Sequence, residues 1–395
     1  MNYILFDDES RQSLLPLTYT RPVAEIRIGI LRIREKWEKY LNVKFSYLTE
    51  AVLQDKFPFI SEKENIFING SFLPSMNLIK EINKLNSGEM LVSKDGLIAG
   101  RIDEYVSNLK NVKDINFTKS LRCEIPVVKI NFNWDIFAKN EIAIIDDYHL
   151  LTDGRKSNVI SSSNRVIAPE NIFLEEGANV ECAILNGSSG VIYIGKNAEV
   201  MEGAMIRGPF ALCEHSQVKM GAKIYGSTTI GPYCKVGGEI SNSVIFGYTN
   251  KAHDGFLGNS VLGEWCNLGA DSNNSNLKNN YSKIKVWNYM DENYVNTGLQ
   301  FCGLIMGDHS KCSINTMFNT GTVVGVSANI FGNGFPPKFV PSFAWGGSEG
   351  FITYRLENAL EVAERVYERR SLNFGAIEKN ILRNLFDNTT KFRAW

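Results

Sequence analysis

From Ile194 onward every sixth residue is aliphatic: Ile194, Val200, Ile206, Leu212, Val218, Ile224, Ile230 and Val236. Two residues before most of these sits a small side chain (Ala198, Ala204, Ser216, Ala222, Thr228, Cys234), with Ile192 and Phe210 the exceptions. A six-residue period matches neither an amphipathic helix nor a strand with one wet face. It matches a parallel β-helix in which three hexads make one triangular coil and each flat side turns one aliphatic residue inward. The register slips after Val236 and resumes at Leu257-Gly258, Leu262-Gly263 and Leu268-Gly269. It then runs cleanly through Met306, Cys312, Phe318, Val324 and Ile330. Glycine directly after the inward residue, as at Gly195, Gly231 and Gly307, is expected to give each corner its backbone freedom. Segment 270–300 is rich in Asn and Tyr and breaks the pattern. It is expected to be a loop thrown out from the stack, the kind of segment that carries function.

The two ends read differently. Tyr3–Phe6 and Asn65–Ile68 are short apolar strands, Gly29–Tyr40 is a helix with Leu31, Trp37 and Tyr40 on its inner face, and a second helix falls near 75–86. This alternation points to an α/β layer. A third strand-like run, 141–150, precedes a polar linker from Thr152 to Asn164. Pro336, Pro337 and Pro341 should end the solenoid, whose expected span is roughly 160–335. Beyond them Leu356, Ala359, Leu360, Ala363, Val366 and Tyr367 mark the buried stripe of a helix that packs on the open end of the coils.

Composition narrows the function. The 395 residues are 44% hydrophobic and 22% charged, ordinary for a folded chain with two to three domains. Lys+Arg and Asp+Glu number 42 and 43, so no global basic field exists to hold nucleic acid or anionic lipid. No apolar run is long enough for a membrane span, and the start MNYILFDDES has no leader-like n-region. Seven scattered cysteines without a C-x-x-C pair argue against a disulfide framework or a structural zinc site and favour a reducing, cytoplasmic setting. Cys234, Cys266 and Cys312 occupy small inward positions and read as filler. Of the four histidines, His149 and His215 read as surface or turn residues and His309 as a corner residue.

The remaining histidine sits in Lys251-Ala252-His253-Asp254-Gly255-Phe256-Leu257-Gly258, followed by Asn267, Gly269, Ala270 and Asn276, and by Lys283 and Lys285. This stretch resembles the acetyltransferase half of the bifunctional glucosamine-1-phosphate acetyltransferase/UDP-N-acetylglucosamine pyrophosphorylase (GlmU) family. It departs from the family in lacking the glycine before the histidine and in carrying Phe256 and Leu277 where the family has tyrosine. The resemblance implies a left-handed β-helix and a homotrimer. It also implies transfer of acetyl from acetyl-CoA to the amine of glucosamine 1-phosphate or a similar hexosamine phosphate. His253 would be the base, because imidazole suits removal of a proton from an ammonium near neutral pH. Backbone N–H groups of the Gly-rich corners near His253 or Ala270 would meet the oxyanion, and Gly269 and Ala270 would meet the donor. Asn276 would hold the sugar, and Lys251, Lys283 and Lys285 would neutralise its phosphate, with Lys223 replacing an upstream family lysine. The transfer step calls for no metal.

Ser13–Pro22 (SLLPLTYTRP) resembles the signature that follows the Gly-rich loop of sugar-1-phosphate nucleotidyltransferases, and Asn69-Gly70 resembles that family's strand end. The loop itself is replaced by Asp7-Asp8-Glu9-Ser10-Arg11, which repels phosphate; Val23 stands for the family lysine and Ser71 for its metal-binding aspartate. Arg11, Arg21 and Arg27 are the candidates for the missing cation, with Asn69 beside them, and Mg²⁺ enters only if this domain is active. The expected organisation is therefore a divergent, truncated nucleotidyltransferase-like α/β domain at 1–155, a β-helical acyltransferase domain at 156–345, and a C-terminal helical segment at 346–395. Two other readings stay open: nucleotidyl transfer as the main activity, and a non-catalytic solenoid scaffold.

Overall fold

The computed structural model describes residues 1–106 and 109–395 and divides into two compact units. The first comprises Met1–Leu14, Thr20–Ile26 and Leu31–Phe132. Its sheet has six strands: β1 (Asn2–Phe6), β2 (Phe45–Leu48), β3 (Asn65–Asn69), β4 (Glu89–Ser93), β5 (Gly96–Ile102) and β6 (Lys119–Arg122), in the order 2-1-3-5-4-6. β1 runs parallel to both β2 and β3, and β5 is antiparallel to β3 and β4. Every residue of β3 is buried, as a central strand covered on both faces requires. The strands expected at Tyr3–Phe6 and Asn65–Ile68 and both expected helices are present. The first helix, Ile33–Leu41, buries Ile33, Lys36 and Trp37 rather than Leu31 and Tyr40, and the Trp37 indole donates to the Phe72 carbonyl at 3.0 Å.

The second unit comprises Leu15–Tyr19, Arg27–Ile30 and Asn133–Trp395. Residues 141–150 are not a strand but the body of a helix, Asn140–Thr152. Its buried positions include Ala143, Ile144, Asp147 and Tyr148, a helical spacing that a short apolar run conceals in sequence. The helix is fixed to the coils by Asn140, whose amide donates to the Ser227 carbonyl (2.9 Å) and the Thr229 hydroxyl (3.1 Å) while its Oδ1 accepts the Gly29 N–H (2.8 Å).

The solenoid has the expected three-sided parallel architecture. One face has six strands from Arg165–Ile167 to Phe256–Gly258, a second has nine from Ile172–Leu174 to Phe339–Val340, and a third has ten from Asn179–Val180, edged by the antiparallel Gly350–Thr353. Consecutive hexads fall on consecutive faces, so Ile194, Leu212 and Ile230 stack on the second face and Val200, Val218 and Val236 on the third. The slip after Val236 is a shortened coil: Ile245 pairs with Ile230 and Lys251 with Val236, each fifteen residues on instead of eighteen. Below the loop the coils resume, and the prolines do not end them. Phe339–Val340 and Ala344–Gly347 add a further partial turn.

Two expectations about local detail change. Gly195 and Gly231 do not occupy left-handed corners; a Cβ there would fall 2.8 and 2.6 Å from the backbone of the next coil, so close approach selects glycine. The left-handed corner is instead taken by Asn197, His215, Tyr233, Tyr248, Trp265, His309, Ser327 and Phe343. Five of these rings stack as a ladder, with centroid spacings of 4.8 Å (His215–Tyr233), 5.0 Å (Tyr233–Tyr248), 4.1 Å (Tyr248–Trp265) and 6.3 Å (Trp265–His309). The expected loop 270–300 contains a hairpin, Lys285–Asn288 with Asn293–Asn296. The C-terminal helix Leu356–Glu368 buries Ala359, Leu360 and Ala363 as expected, and a second helix, Ala376–Asn388, joins the same apolar cluster with Leu382 and Leu385. Among the described residues no helix is long and apolar enough to cross a membrane.

Candidate functional site

The shortened coil creates the site. On the third face Lys251 takes the inward position between Val236 and Leu268, and it is only 1% exposed. An ammonium inside an aliphatic column needs acceptors. It finds them in the carbonyl oxygens of His253 and Asp254, the latter at 2.9 Å. Burial lowers the Lys251 pKa to about 8 against the opposing pull of Asp254 and Asp271. From the adjoining coil, Asn273 Oδ1 accepts the Phe256 N–H at 2.7 Å. Gly255, at φ +113°, lies where a Cβ would strike the Ser272 carbonyl oxygen. The turn 252–255 is therefore held from within and from the neighbouring coil, and its outward side chain, His253, is exposed.

His253 lines a cleft of about 650 Å³ together with Gly269 and Ala270, so three of the expected residues meet. The Gly269 N–H is already given to the Cys312 carbonyl (3.1 Å), whereas the Ala270 N–H has no partner among the described residues. Tyr248 and Trp265 of the ring ladder form one wall, and Tyr367 of the C-terminal helix stacks on Trp265 at 4.1 Å. Lys235, Lys311, Arg369 and Arg370 also line the cleft, and no carboxylate does.

The other expected ligands lie elsewhere. Lys251 is inside the coil, where its ammonium braces the turn and cannot reach a sugar phosphate. Lys223 is exposed on the first face beside Met205 and Glu239, and Lys283 and Lys285 are exposed in and beside the hairpin. Asn276 is half-buried and donates to Asn259 Oδ1 at 2.8 Å. None of these lines the His253 cleft. His309 is buried at its corner, and His149 stands on the surface 3.6 Å from Asp153.

The sequence reading missed Lys235 and Lys311. A signal for them existed. On the third face the residue before each inward position points outward, so Lys235, Asn250, Asn267 and Lys311 form one column on the cleft wall. Arg369 and Arg370 carry no such mark.

The first unit has its own cleft, about 710 Å³, at the carboxyl ends of β1 and β2, the usual ligand position of open parallel sheets. Asp7, Asp8, Glu9, Arg11, Glu50 and Lys113 line it. Its acidic loop is largely neutralised by the protein itself. Asp7 accepts from Arg11 (3.0 Å), Thr49 (2.6 Å) and the Val23 N–H (2.8 Å), and burial raises its pKa. Burial works the same way on Asp8, but the Lys129 ammonium at 2.8 Å and hydrogen bonds from Ser10 and Asn69 outweigh it and lower its pKa. Of the four residues expected to bind nucleotide, only Arg11 lines the cleft, with its guanidinium committed to Asp7 and the Arg21 carbonyl. Asn69 is fully buried and braces the loop between Asp8 and Leu97, and Arg21 is buried beside Thr20. Arg27 belongs to the second unit, where it donates to the Ile30 carbonyl and reaches Cys213 Sγ at 3.6 Å.

Residues 3–156 match the family model described as sugar nucleotidyl transferase. A search of curated proteins gave no match. Among solved structures, the UDP-N-acetylglucosamine acyltransferase of Francisella novicida is 13% identical, covering 58% of this chain and 88% of that one at a TM-score of 0.27. The polySia specific acetyltransferase NeuO is 14% identical, covering 53% and 94% at a TM-score of 0.23. The Arabidopsis UDP-N-acetylglucosamine acyltransferase is 15% identical, covering 60% and 98% at a TM-score of 0.22. At such scores the fold assignment rests on the strand pairing of this chain itself.

Proposed function

We propose that the second unit is an acetyl-CoA-dependent N-acetyltransferase acting on glucosamine 1-phosphate or a similar hexosamine phosphate, with His253 as general base. The observation that carries the reading is the exposed imidazole on a turn braced by Lys251, in one cleft with Ala270. As the sugar nitrogen attacks the thioester carbonyl, Nδ1 or Nε2 of His253 takes its proton and a C–N bond forms. The tetrahedral oxyanion is met by the Ala270 N–H. Collapse breaks the C–S bond, and the departing thiolate takes the proton back from the imidazolium. The assembly in this reading is a homotrimer. The test is thiol release from acetyl-CoA across a panel of hexosamine 1-phosphates, beside glucose 1-phosphate, which has no amine. Release with an amino sugar and none with glucose 1-phosphate supports the reading; no release with any amino sugar overturns it.

A second reading, nucleotidyl transfer to a sugar 1-phosphate by the first unit, is favoured by the family match over residues 3–156. Mg²⁺ would serve such a reaction, but Ser71 stands where that family has its metal-binding aspartate, the nearby Asp7 and Asp8 are engaged by Arg11 and Lys129, and among the described residues no group of three or more His, Cys, Asp or Glu is arranged to hold a metal. The residues therefore do not fit the ion in this arrangement. Pyrophosphate release from a nucleoside triphosphate and a sugar 1-phosphate tests this reading separately.

A further inference from the structure

We infer that Lys235, Lys311, Arg369 and Arg370 form a phosphate-binding site in the His253 cleft, with the end of helix Leu356–Glu368 acting as a clamp beside the ring ladder. The inference rests on the proposal that this cleft is where the reaction occurs, because the phosphate is carried by a reactant.

Four cations converge on one cleft, no carboxylate lines it, and none of the four forms an ion pair among the described residues. Their neighbours behave otherwise: Arg365 pairs with Glu361 and Lys379 with Glu364. Two of the four are held in place by backbone carbonyls. Lys311 Nζ donates to His309 O at 2.9 Å, and Arg370 Nη2 donates to Tyr233 O at 3.2 Å. These bonds orient the groups and leave their charge uncompensated. The crowding registers in Lys235, whose pKa is lowered by burial and then by Lys219, Arg370 and Arg369. Burial lowers Lys311 as well. A cluster that repels itself and yet is held together is complementary to a multiply charged anion, and guanidinium and ammonium groups together match a phosphate ester. Two reactants of the proposed transfer carry phosphate, the sugar 1-phosphate and the nucleotide part of the acyl donor.

The test is calorimetric titration of the full chain with glucosamine 1-phosphate and with adenosine 3′,5′-bisphosphate, beside glucosamine and adenosine. At least one phosphorylated probe binds and its unphosphorylated partner does not; which one binds names the reactant held. Lys235→Gln and Arg369→Gln, which break no hydrogen bond between a side chain and a backbone group, each weaken that binding by about tenfold or more. Arg369→Lys restores part of it. Circular dichroism confirms that the variants fold. No binding of either phosphorylated probe, or unchanged affinity in both Gln variants, overturns the inference. His253→Ala separates the two claims: phosphate-probe binding that persists in a protein devoid of transfer activity leaves the anion site standing while the base assignment is judged on its own.

Discussion

Replacing Lys251 by Met tests how the site is built. The Lys251 pKa falls from 10.5 to about 8 in the folded protein. An unfolded lysine titrates near 10.4, and the difference corresponds to about 3 kcal/mol against the charged form. The sign follows from proton counting. Below pH 8 both states hold the proton and the penalty is constant. Between pH 8 and about 10.4 the unfolded chain binds more protons than the folded one, so stability rises with pH. Met fills the same column without titrating; the Asp254 carbonyl keeps the Asp271 N–H (3.1 Å), and the carbonyl of the exposed His253 turns to water for its hydrogen bond. Urea unfolding of wild type and Lys251→Met at pH 7, 8.5 and 10 should show the wild type gaining roughly 2–3 kcal/mol on the variant from the lowest to the highest pH. Stability differences that stay constant over that range would refute the lowering of the Lys251 pKa by burial in the coil.

Two further substitutions probe the two units. Asn140→Ala removes donors to Ser227 and Thr229 and leaves the Gly29 N–H without its acceptor, so the second unit should lose about 2–4 kcal/mol in urea unfolding; a loss within error of zero would mean the helix docks without it. Glu25 is buried between Arg32 (3.0 Å) and Arg34 (2.6 Å), both partly open to water, so Glu25→Gln should cost the first unit about 3 kcal/mol, the lower end for a broken buried pair. An unchanged urea midpoint would count against that network.

The β-helix was legible because its interior repeats: an inward aliphatic every six residues survives any change on the outside. The reading failed where one residue served two purposes. Lys251 in an aliphatic column looks like a lost register, and its motif suggested a phosphate ligand, whereas the coil uses its ammonium internally. Helix Asn140–Thr152 is hidden in the sequence because a short apolar run carries no decisive period. Within the candidate site, His253, Gly269 and Ala270 sit close in sequence and came together as expected. The four cations are spread from position 235 to 370, and only the coil register and the return of the C-terminal helix assemble them. Asn69 and Arg27 were misplaced for a simpler reason: a polar residue near a motif is as often a brace as a ligand, and burial decides which.

The most direct measurement of the central claim is kcat/KM for acetyl transfer to the preferred amino sugar in wild type and in His253→Ala. Loss of a general base predicts a fall of about 10²–10⁴ with the phosphate-probe affinity retained. A fall of less than about tenfold would contradict the assignment of proton removal to this imidazole.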